Sequence, residues 1–541
     1  MSTASILPAT SRMRRRPTIR RLAAWLAARA SDPTASLWLV IGFAAAHAVL
    51  WTLILINLKA AQDVHMDVAE AFAWGQKFQF GYGKHPPLAG WVAGVWFGIF
   101  PVANWATYAL AMATLGCGLV VCWLISLRVV DRRRAFFVVV MLALYPIFNF
   151  KGFKYNPDLL QLVTLPLLVL AYLHAFEKRS LRSGLWLGLA GALALMTKYW
   201  VLTMIGAIGI AALLHPDRLR FLRSPAPWVA IVTLVVVMIP HLVWLKQVDF
   251  VPLTYAGDVY GLSSRAQSLQ LIIGYISHNL ALLAVPVALA ALALAWKPRW
   301  WTTLARQPLA LVTRVWSRGA NASVNASQAL NVWVIQIVVA VGPPLGGLIF
   351  TVYVKTDWGI SLFFLTPLAL VAIPSLRIRK MALFYIAAIW LVITLAVLAA
   401  SPTIAAREMA ANPNGASGYG ARSELARELT QAWRTRFHTR WAVVAGTTEI
   451  GEPMTFYSPD HPAPFTPGEI WSSGLTSLEE AKRLGFIGVC DTSDNRLPVC
   501  EAWMAANADN AERLAITTQR FFHGHPGPAI SWKVYIVPPA K

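Results

Sequence analysis

Long apolar runs alternate with short polar loops through the first 400 residues of the chain. A run of roughly 16 or more apolar residues is near the lower limit for a helix that crosses a membrane. By this criterion eleven helices are predicted, near 36–57, 105–127, 135–150, 158–176, 183–197, 199–214, 227–246, 269–295, 329–351, 358–374 and 381–400. A shorter run at 87–101, bracketed by prolines, is predicted to form a re-entrant or interfacial helix.

The pattern changes after residue 400, where short strand-like and helix-like pieces alternate. The predicted elements are a helix at 421–436 and strands at 441–446, 486–489, 516–522 and 532–537. We therefore expect an all-α polytopic membrane protein with about 11–13 transmembrane helices, followed by a small soluble α/β domain. The predicted boundaries are a basic N-terminus at 1–35, a membrane domain at 36–400 with loop helices at 60–104, and the α/β domain at 401–541. An amphipathic surface helix and a flexible link are predicted at 297–328.

Composition excludes a soluble globule for the chain as a whole. Of the 541 residues, 57% are hydrophobic and 13% are charged, against a charged share of roughly 25% in soluble domains. The net charge of +22 would suggest a nucleic-acid partner in a soluble protein. Here the basic residues form short clusters between apolar runs, which is a topology signal and predicts no nucleic-acid partner.

The basic clusters also predict the orientation of the chain. If the basic N-terminus lies inside, five basic loops follow it on the inner side, and an odd number of crossings leaves the C-terminal region outside. Cys490 and Cys500 would then form a disulfide if that compartment is oxidising. Four lysines fall on the outer side against this trend, namely Lys151, Lys154, Lys198 and Lys355. An anionic ligand would explain them, and so would snorkelling to lipid headgroups.

The segment 63–87, DVHMDVAEAFAWGQKFQFGYGKHPP, follows the first predicted span and is the leading candidate for a site. Asp63, Asp67 and Glu70 are spaced i, i+4 and i+7, which places three carboxylates on one face if the segment is helical. Carboxylates on adjacent turns repel one another unless a cation, a proton or a substrate compensates. The alternative is an amphipathic surface helix with solvated acids.

If the outer loops converge, these acids meet lysines from distant segments. Acids that accept a proton beside cations that hold a phosphate suit group transfer from a phosphate-linked donor. A transporter could use the same groups, but the charges gather at one membrane face, and no broken helix pair recurs in two halves. Walker, dinucleotide, HExxH and zinc motifs are absent from the sequence, which favours a donor already carried in the membrane.

Several motifs together resemble a known family. They are HMDVAEAFAWGQKFQFGYGKHPPLAGW (65–91), FKYNPDLLQL (153–162), MTKYW (196–200), PHLVWL with FVPLTYA (240–256) and KTDWG (355–359). In these motifs the chain resembles the lipid-dependent membrane glycosyltransferases of the protein-mannosyltransferase type. That group includes the bacterial aminoarabinose transferases that modify lipid A.

The resemblance implies a GT-C fold in the bacterial inner membrane, with the N-terminus cytoplasmic and the C-terminal domain periplasmic. It implies transfer of a sugar from a polyprenyl-phosphate donor to a lipid, such as a lipid A-like molecule, a glycan or a protein on the periplasmic face, with inversion. The alternative is a transporter or flippase of lipid-linked sugars, which would bind phosphate but carry out no acceptor chemistry.

The resemblance also implies roles for individual residues. Asp67 matches the acid on the first outer loop, a base or acceptor-orienting group, and Asp158 matches the second acid. His85 stands where relatives often carry a lysine against the donor phosphate, and Lys84 stands where some have an acid. The catalytic candidates are Asp67, Asp158 and Glu70, the donor-phosphate candidates are Lys84, His85, Lys151, Lys154, Lys198 and Lys355, and the substrate-binding candidates are Tyr82, Asn156, His241 and Tyr255.

No cofactor is certain from the sequence. A divalent metal ion is a candidate, and Asp67, Glu70 and Asp158 would bind it if they converge. Relatives often show Asp-Glu at the first acid, whereas Val68 follows Asp67 here, which bears against a metal role.

Simpler interpretations stand beside several of these assignments. Lys84 and His85 would also suit lipid headgroups, and Lys198 would suit snorkelling at a helix end. Asp158 follows a proline at a helix start and would suit an N-cap. A membrane-interface role fits His241 and Tyr255.

Overall fold

The computed structural model describes residues 18–295, 324–411, 418–469 and 474–540. The helices of the first two ranges are α1 Thr18–Ser31, α2 Ala35–Leu58, α3 Met66–Gly75, α4 Leu88–Ile99, α5 Asn104–Val129, α6 Arg132–Ala143, α7 Pro157–Lys178, α8 Leu181–Leu195, α9 Leu202–Leu214, α10 Arg218–Leu222, α11 Pro225–Gln247, α12 Val251–Tyr260, α13 Arg265–Ala295, α14 Ala326–Phe350, α15 Thr356–Ile360, α16 Thr366–Val371 and α17 Lys380–Ala411. Short 3₁₀ turns lie at Pro146–Phe148, Phe150–Phe153, Tyr199–Val201 and Phe363–Leu365.

All eleven predicted apolar segments contain helix, and the prediction of a polytopic helical membrane protein is confirmed. Seven helices in the described ranges are long and apolar enough to cross a membrane, namely α2, α5, α7, α11, α13, α14 and α17. An eighth span results if α6 and the 3₁₀ turns up to Phe153, which are bent by 78°, are counted together. The segments predicted at 183–197, 199–214 and 358–374 form shorter apolar helices, so the count of 11–13 crossings stays a prediction.

The structure shows a packed helix in the N-terminal stretch and leaves most of the predicted surface helix untested. The N-terminal stretch at 1–35 contains α1, whose Ala23, Ala27 and Ala30 are buried, so this helix packs on the bundle through its small residues. The surface helix predicted at 297–328 lies almost wholly outside the described residues, which resume at Val324.

The C-terminal region folds around a mixed five-stranded sheet, and the prediction of a small α/β unit is confirmed. Its elements are α18 Arg422–Phe437, β1 Val443–Ala445, α19 Thr448–Tyr457, β2 Ala463–Phe465, α20 Leu478–Leu484, β3 Phe486–Asp491, α21 Leu497–Asn507, β4 Glu512–Phe522 and β5 His525–Val537. The strand order is β2-β1-β3-β5-β4, with β1 parallel to both neighbours and β4 and β5 forming an antiparallel hairpin. His523 and Gly524 both have positive φ at the hairpin turn, as a two-residue turn of type I′ requires.

A disulfide joins Cys490 on β3 to Cys500 on α21. The two α carbons lie 5.9 Å apart, within the usual span of a disulfide. The disulfide between Cys490 and Cys500 that the sequence suggested is therefore present in the structure.

The C-terminal region packs directly on the segment that follows the first span. Phe72 of α3 contacts Phe456 of α19 edge to face, with ring centroids 5.4 Å apart. The amide of Val64 donates to the hydroxyl of Tyr457 at 2.7 Å. Asp63 accepts a hydrogen bond from the amide of Arg422 at 2.7 Å. These contacts fix the start of α3 against helices α18 and α19 of the C-terminal region.

The two loop helices α3 and α4, expected within 60–104, approach each other through glycines. A methyl group added at Gly94 would lie 2.6 Å from the carbonyl oxygen of Gly75, closer than side-chain carbons are found. Because α3 carries Asp67 and Glu70, this close approach sets where both carboxylates lie.

We expect Gly94→Ala to lower the stability of the protein by about 1–3 kcal/mol, because overpacking displaces α3 from α4. Gly98→Ala on the same helix is the matched control, since an added methyl group there meets nothing within 4 Å. Thermal unfolding of the purified protein in detergent measures the difference. Equal transition temperatures for the two variants would show that the glycine contact does not position α3.

Candidate active site

A cavity of about 360 Å³ lies at the ends of the helices where α3 packs. Its wall contains four lysines, Lys59, Lys151, Lys154 and Lys355, and four acids, Asp67, Asp158, Asp357 and Glu408. These residues come from the end of α2, from α3, from the bend before α7 and its first turn, from the start of α15 and from the end of α17. The fold therefore brings acids and lysines from distant segments into one cavity, as expected.

Asp67 lies at the centre of this charge cluster. Asn156 donates a hydrogen bond to its carboxylate at 2.8 Å, and the ammonium of Lys154 lies 3.4 Å from the same oxygen. Burial alone would raise the pKa of Asp67, but Lys154, His65 and the Asn156 hydrogen bond outweigh it and hold the pKa well below its usual range. Asp67 therefore stays ionised in the free protein.

Asp158 and Lys198 form the second ion pair of the cluster. The ammonium of Lys198 donates to both carboxylate oxygens of Asp158, at 2.7 and 2.9 Å. It also lies 5.0 Å from the ring centre of Trp358. Burial lowers the pKa of Lys198, and the charge of Asp158 opposes that shift.

The interpretation of Asp158 as a helix cap is wrong. Asn156 is the N-cap of α7, and its side-chain oxygen accepts from the amide of Leu159 at 2.9 Å. The same Asn156 amide group donates to Asp67. One side chain thus starts α7 and orients the carboxylate on α3.

Glu70 and Lys84 form a third pair, on the side of α3 that faces the C-terminal region. Their charged atoms lie 2.6 Å apart and both side chains are buried. Burial raises the pKa of Glu70 to about 7 despite the pull of Lys84. Neither residue lines the cavity around Asp67. We therefore place this pair behind α3, not in the cavity wall.

A buried acid of the C-terminal region lies within electrostatic range of this third pair. Glu452 of α19 is 2% exposed, and its Oε2 atom has no hydrogen-bond partner within the described residues. Burial raises the pKa of Glu452 well above its ordinary value, and the charge of Glu70 raises it further. Glu452 is accordingly protonated at neutral pH.

The three carboxylates predicted on one helix face diverge. Helix α3 begins at Met66, because the ring of His65 accepts the amide hydrogen of Asp67 and caps the helix there. Asp63 lies before the helix and binds the side chain of Arg520. The prediction that Asp63, Asp67 and Glu70 share one helix face is wrong, because Asp63 lies before the first residue of α3.

The remaining predicted phosphate ligands divide into two groups. Lys151 and Lys355 line the cavity, with the ammonium of Lys151 lying 3.3 Å from a ring nitrogen of His278. His85 does not line the cavity, and its buried Nδ1 atom has no hydrogen-bond partner among the described residues. Burial and the positive charges of Lys198 and Lys84 lower the pKa of His85 well below its ordinary value, so it is neutral.

The predicted substrate-binding residues other than Asn156 do not line the cavity. Tyr82 is stacked on Trp74 and donates its hydroxyl hydrogen to the carbonyl of Lys77 at 2.8 Å. His241 lies 2.6 Å from the carbonyl oxygen of Phe80. Tyr255 lies against the hydroxyl of Tyr260, at 3.2 Å. These contacts position the loop around residue 82 and helix α12.

The three acids suggested as metal ligands do not all converge, because Asp67 and Asp158 line the cavity and Glu70 does not. Asp67, Glu70 and Asp158 each face a different cation. In the described ranges no group of three or more His, Cys, Asp or Glu side chains is arranged to hold a metal ion. These residues therefore do not fit a divalent-ion site, and the chemistry below is derived without one.

A second cavity of about 430 Å³ adjoins the first, between the end of α2 and the C-terminal region. The two cavities share Lys59, Phe153 and Glu408 in their walls. Lys59 lies 3.8 Å from Glu408 and its ammonium lies 4.7 Å from the ring centre of Phe153. This group of three side chains separates the two cavities.

Sequence reasoning missed Lys59, Glu408, Asp357 and His65 as parts of the site. Lys59 directly follows the first span, and Asp357 lies in the motif KTDWG (355–359). Both lie in predicted outer loops, so the sequence could have indicated them as site residues. Glu408 was hidden, because α17 continues to Ala411 while the predicted helix ended at residue 400.

Comparisons with known proteins address the fold and the family. The family model described as dolichyl-phosphate-mannose-protein mannosyltransferase matches residues 84–244. The structure of ArnT from Cupriavidus metallidurans bound to undecaprenyl phosphate superposes with a TM-score of 0.56 at 12% identity, over 92% of this chain and 98% of ArnT. The chain has an ArnT-like GT-C fold.

A sequence relative agrees with this fold. The lipid A galacturonosyltransferase RgtD of Rhizobium johnstonii is 26% identical over 240 residues, which make up 42% of this chain and 47% of RgtD. The alignment thus spans about half the length of that relative. Together these matches confirm the resemblance read from the motifs.

We expect the stability of the protein to depend on pH through Glu452. Its raised pKa means that the folded protein holds a proton that the unfolded chain releases near pH 4.5, so stability falls as pH rises from there to the folded pKa, by up to about 1.4 kcal/mol per pH unit. Glu452→Gln mimics the protonated acid and should remove this fall. The variant should match the wild type near pH 5 and melt at higher temperature at pH 8.

Glu428→Gln, a change of an exposed acid on α18, is the control and should leave the pH dependence as it is. Differential scanning fluorimetry across this pH range gives the comparison. A Glu452→Gln variant that is less stable than the wild type at pH 8 would mean that Glu452 is ionised in the folded protein.

Proposed function

We propose that this chain is a membrane glycosyltransferase that moves a sugar from a polyprenyl-phosphate donor to a lipid A-like lipid acceptor. The observation that carries the proposal is the pairing of Asp67 with Lys154 and Asn156 in a cavity whose wall holds four lysines. The structure of ArnT contains undecaprenyl phosphate and RgtD is a lipid A galacturonosyltransferase, which supports both halves of the proposal.

The lysines of the cavity suit the phosphate of such a donor. Lys151, Lys154 and Lys355 line it together, and Lys198 lies just behind Asp158. A departing polyprenyl phosphate carries the negative charge that develops as the bond to the sugar breaks. Preformed ammonium groups in a site with little water stabilise that charge without having to reorganise.

Asp67 is proposed to orient the acceptor and to take its proton. In the free protein its pKa is too low for an effective base, because Lys154 lies beside it. Donor phosphate bound to Lys154 would offset that positive charge and raise the pKa of Asp67. The base would therefore be activated only when the donor is present, and attack on the sugar from the face opposite the phosphate gives inversion.

The second cavity is proposed to receive the acceptor headgroup. It meets the first cavity at Lys59, Phe153 and Glu408 and is walled by Arg422 and Glu449 of the C-terminal region. Side chains of both signs suit a headgroup that carries phosphates and sugar hydroxyls. The C-terminal region is thereby part of acceptor binding in this proposal.

We further propose the inner membrane as the location, with the N-terminus cytoplasmic and the site and C-terminal region periplasmic. The inner-side basic loops support this orientation. The disulfide between Cys490 and Cys500 also supports it, because disulfides persist in the periplasm and are rare in the cytosol.

Asp67→Asn should lower the rate of sugar transfer by about 10²-fold or more, since it removes a general base worth 10²–10⁴-fold. It should leave binding of undecaprenyl phosphate intact or tighter, because a negative charge beside Lys154 is lost. Transfer is measured with radiolabelled polyprenyl-phosphate sugars and envelope lipid in detergent. The sugar to use comes from mass spectrometry of envelope lipids from cells with and without the gene.

Asp217→Asn, at the opposite end of the bundle in a local pair with Arg220, is the control and should transfer normally. Near-normal turnover of Asp67→Asn would remove Asp67 from the mechanism. Movement of the labelled lipid across vesicles without any labelled acceptor would instead favour a flippase.

A further inference from the structure

An apolar groove of about 840 Å³ opens on the side of the bundle, between α5, α7, α8 and α11. Leucines such as Leu170, Leu189 and Leu193 form its walls, and Arg128 and His174 lie at one end. An apolar groove on the outside of a membrane bundle faces lipid. A charged side chain at its end therefore calls for a polar partner.

The charged end of the groove is remote from the candidate active site, whereas Met196 at its other end lies two residues before Lys198. Asp158 lies in the first turn of α7 and His174 lies near its last turn, 16 residues later, which is about 24 Å along the helix. Among the described residues, the walls of the groove and of the cavity around Asp67 have no member in common. The charged end of the groove thus lies at the far ends of the helices from the site.

The charged end is positive overall. Arg128 donates to Glu177 at 3.1 Å and lies 3.2 Å from a ring nitrogen of His174. Lys178 and Arg182 are close enough to His174 to act on it electrostatically. The three cations Arg128, Lys178 and Arg182 against the one carboxylate of Glu177 leave a net charge of about +2. These contacts use two of the five N–H groups of Arg128, which leaves donors in the geometry that matches a phosphate.

The length of the groove corresponds to one leaflet. Along α8 it runs from Trp186 to Met196, ten residues, which is about 15 Å and half of the about 30 Å hydrocarbon core. Trp186 is 54% exposed near the charged end, as aromatic side chains at membrane interfaces are. An acyl chain with its headgroup at Arg128 fits this length and this polarity.

We propose that the groove binds an anionic glycerophospholipid of the leaflet opposite the active site, with one acyl chain between α7 and α8 and the phosphate at Arg128. The tail of a polyprenyl donor is the competing occupant. Its phosphate belongs at the other end of the helices, and nothing in such a tail would use the positive charge at Arg128. The observations therefore favour the phospholipid.

The test measures lipid retention by the purified full chain in detergent with native mass spectrometry, using dioleoyl phosphatidylglycerol and dioleoyl phosphatidylcholine. We expect the wild type to retain phosphatidylglycerol in preference to phosphatidylcholine. Arg128→Gln should weaken phosphatidylglycerol binding about tenfold, which corresponds to about 1.4 kcal/mol. Arg220→Gln makes the same change at an exposed arginine outside the groove and should bind as the wild type does.

Ala190→Phe fills the groove without changing charge and should also weaken phosphatidylglycerol binding. If this variant unfolds, Arg128→Gln and its control decide the result, with thermal unfolding showing that both are folded. Equal retention of the two lipids by the wild type, or equal effects of Arg128→Gln and Arg220→Gln, would overturn the proposal. So would an Ala190→Phe variant that loses undecaprenyl phosphate and keeps phosphatidylglycerol.

Discussion

Charges that are buried or partly buried, and that require partners, hold the functional end of this protein together. Asp67 depends on Lys154, Asp158 on Lys198 and Glu70 on Lys84, and in each case the partner comes from another part of the chain. Removing one member of a fully buried pair costs about 3–5 kcal/mol, because the other charge is left uncompensated, and the partly buried pairs here should lose less. The loops that carry these residues therefore have few alternative arrangements, although each loop alone would be free to move.

The pairs also explain why the helices break where they do. Lys151, Lys154 and Asn156 lie in the bend between α6 and α7, and Lys198 lies between α8 and the next 3₁₀ turn. Irregular backbone at the depth of a membrane is tolerated where it is buried in protein or lines a polar cavity. A continuous helix would turn some of these ammonium groups toward lipid, whereas the bend directs Lys151 and Lys154 into one cavity.

The sequence predicted which helices and loops carry the charged groups, but it did not predict which groups pair with one another. Hydropathy placed α5 and α7 within two residues of their bounds, because the length of an apolar run is a local property. Partner choice is not local. Asp63 was grouped with Asp67 on an assumed helix, but the cap formed by His65 starts α3 later and sends Asp63 to Arg520.

Caps and helix ends produced the other errors for the same reason. Asn156 and Asp158 are both good N-cap residues, and only the position of Lys198 decides that Asp158 is used for an ion pair. Glu408 lies beyond the point where hydropathy falls on α17, although the helix itself continues. A polar extension of a spanning helix has the hydropathy of a loop. The sequence therefore does not show that the extension of α17 contributes a residue to the site.

The two cavities are lined by different parts of the chain, and this division suggests which parts could vary among related proteins. Half of the wall around Asp67, including Lys151, Lys154 and Asp158, falls within residues 84–244, where the family model matches. The second cavity is lined almost wholly by residues outside that range, from the end of α2 and from the C-terminal region. If the first cavity holds the lipid phosphate and the second the acceptor, half of the phosphate-binding wall lies in the matched segment, whereas Asp67 itself lies before it. Acceptor choice can then change through the C-terminal region, while the ion pairs that hold Asp67 stay as they are.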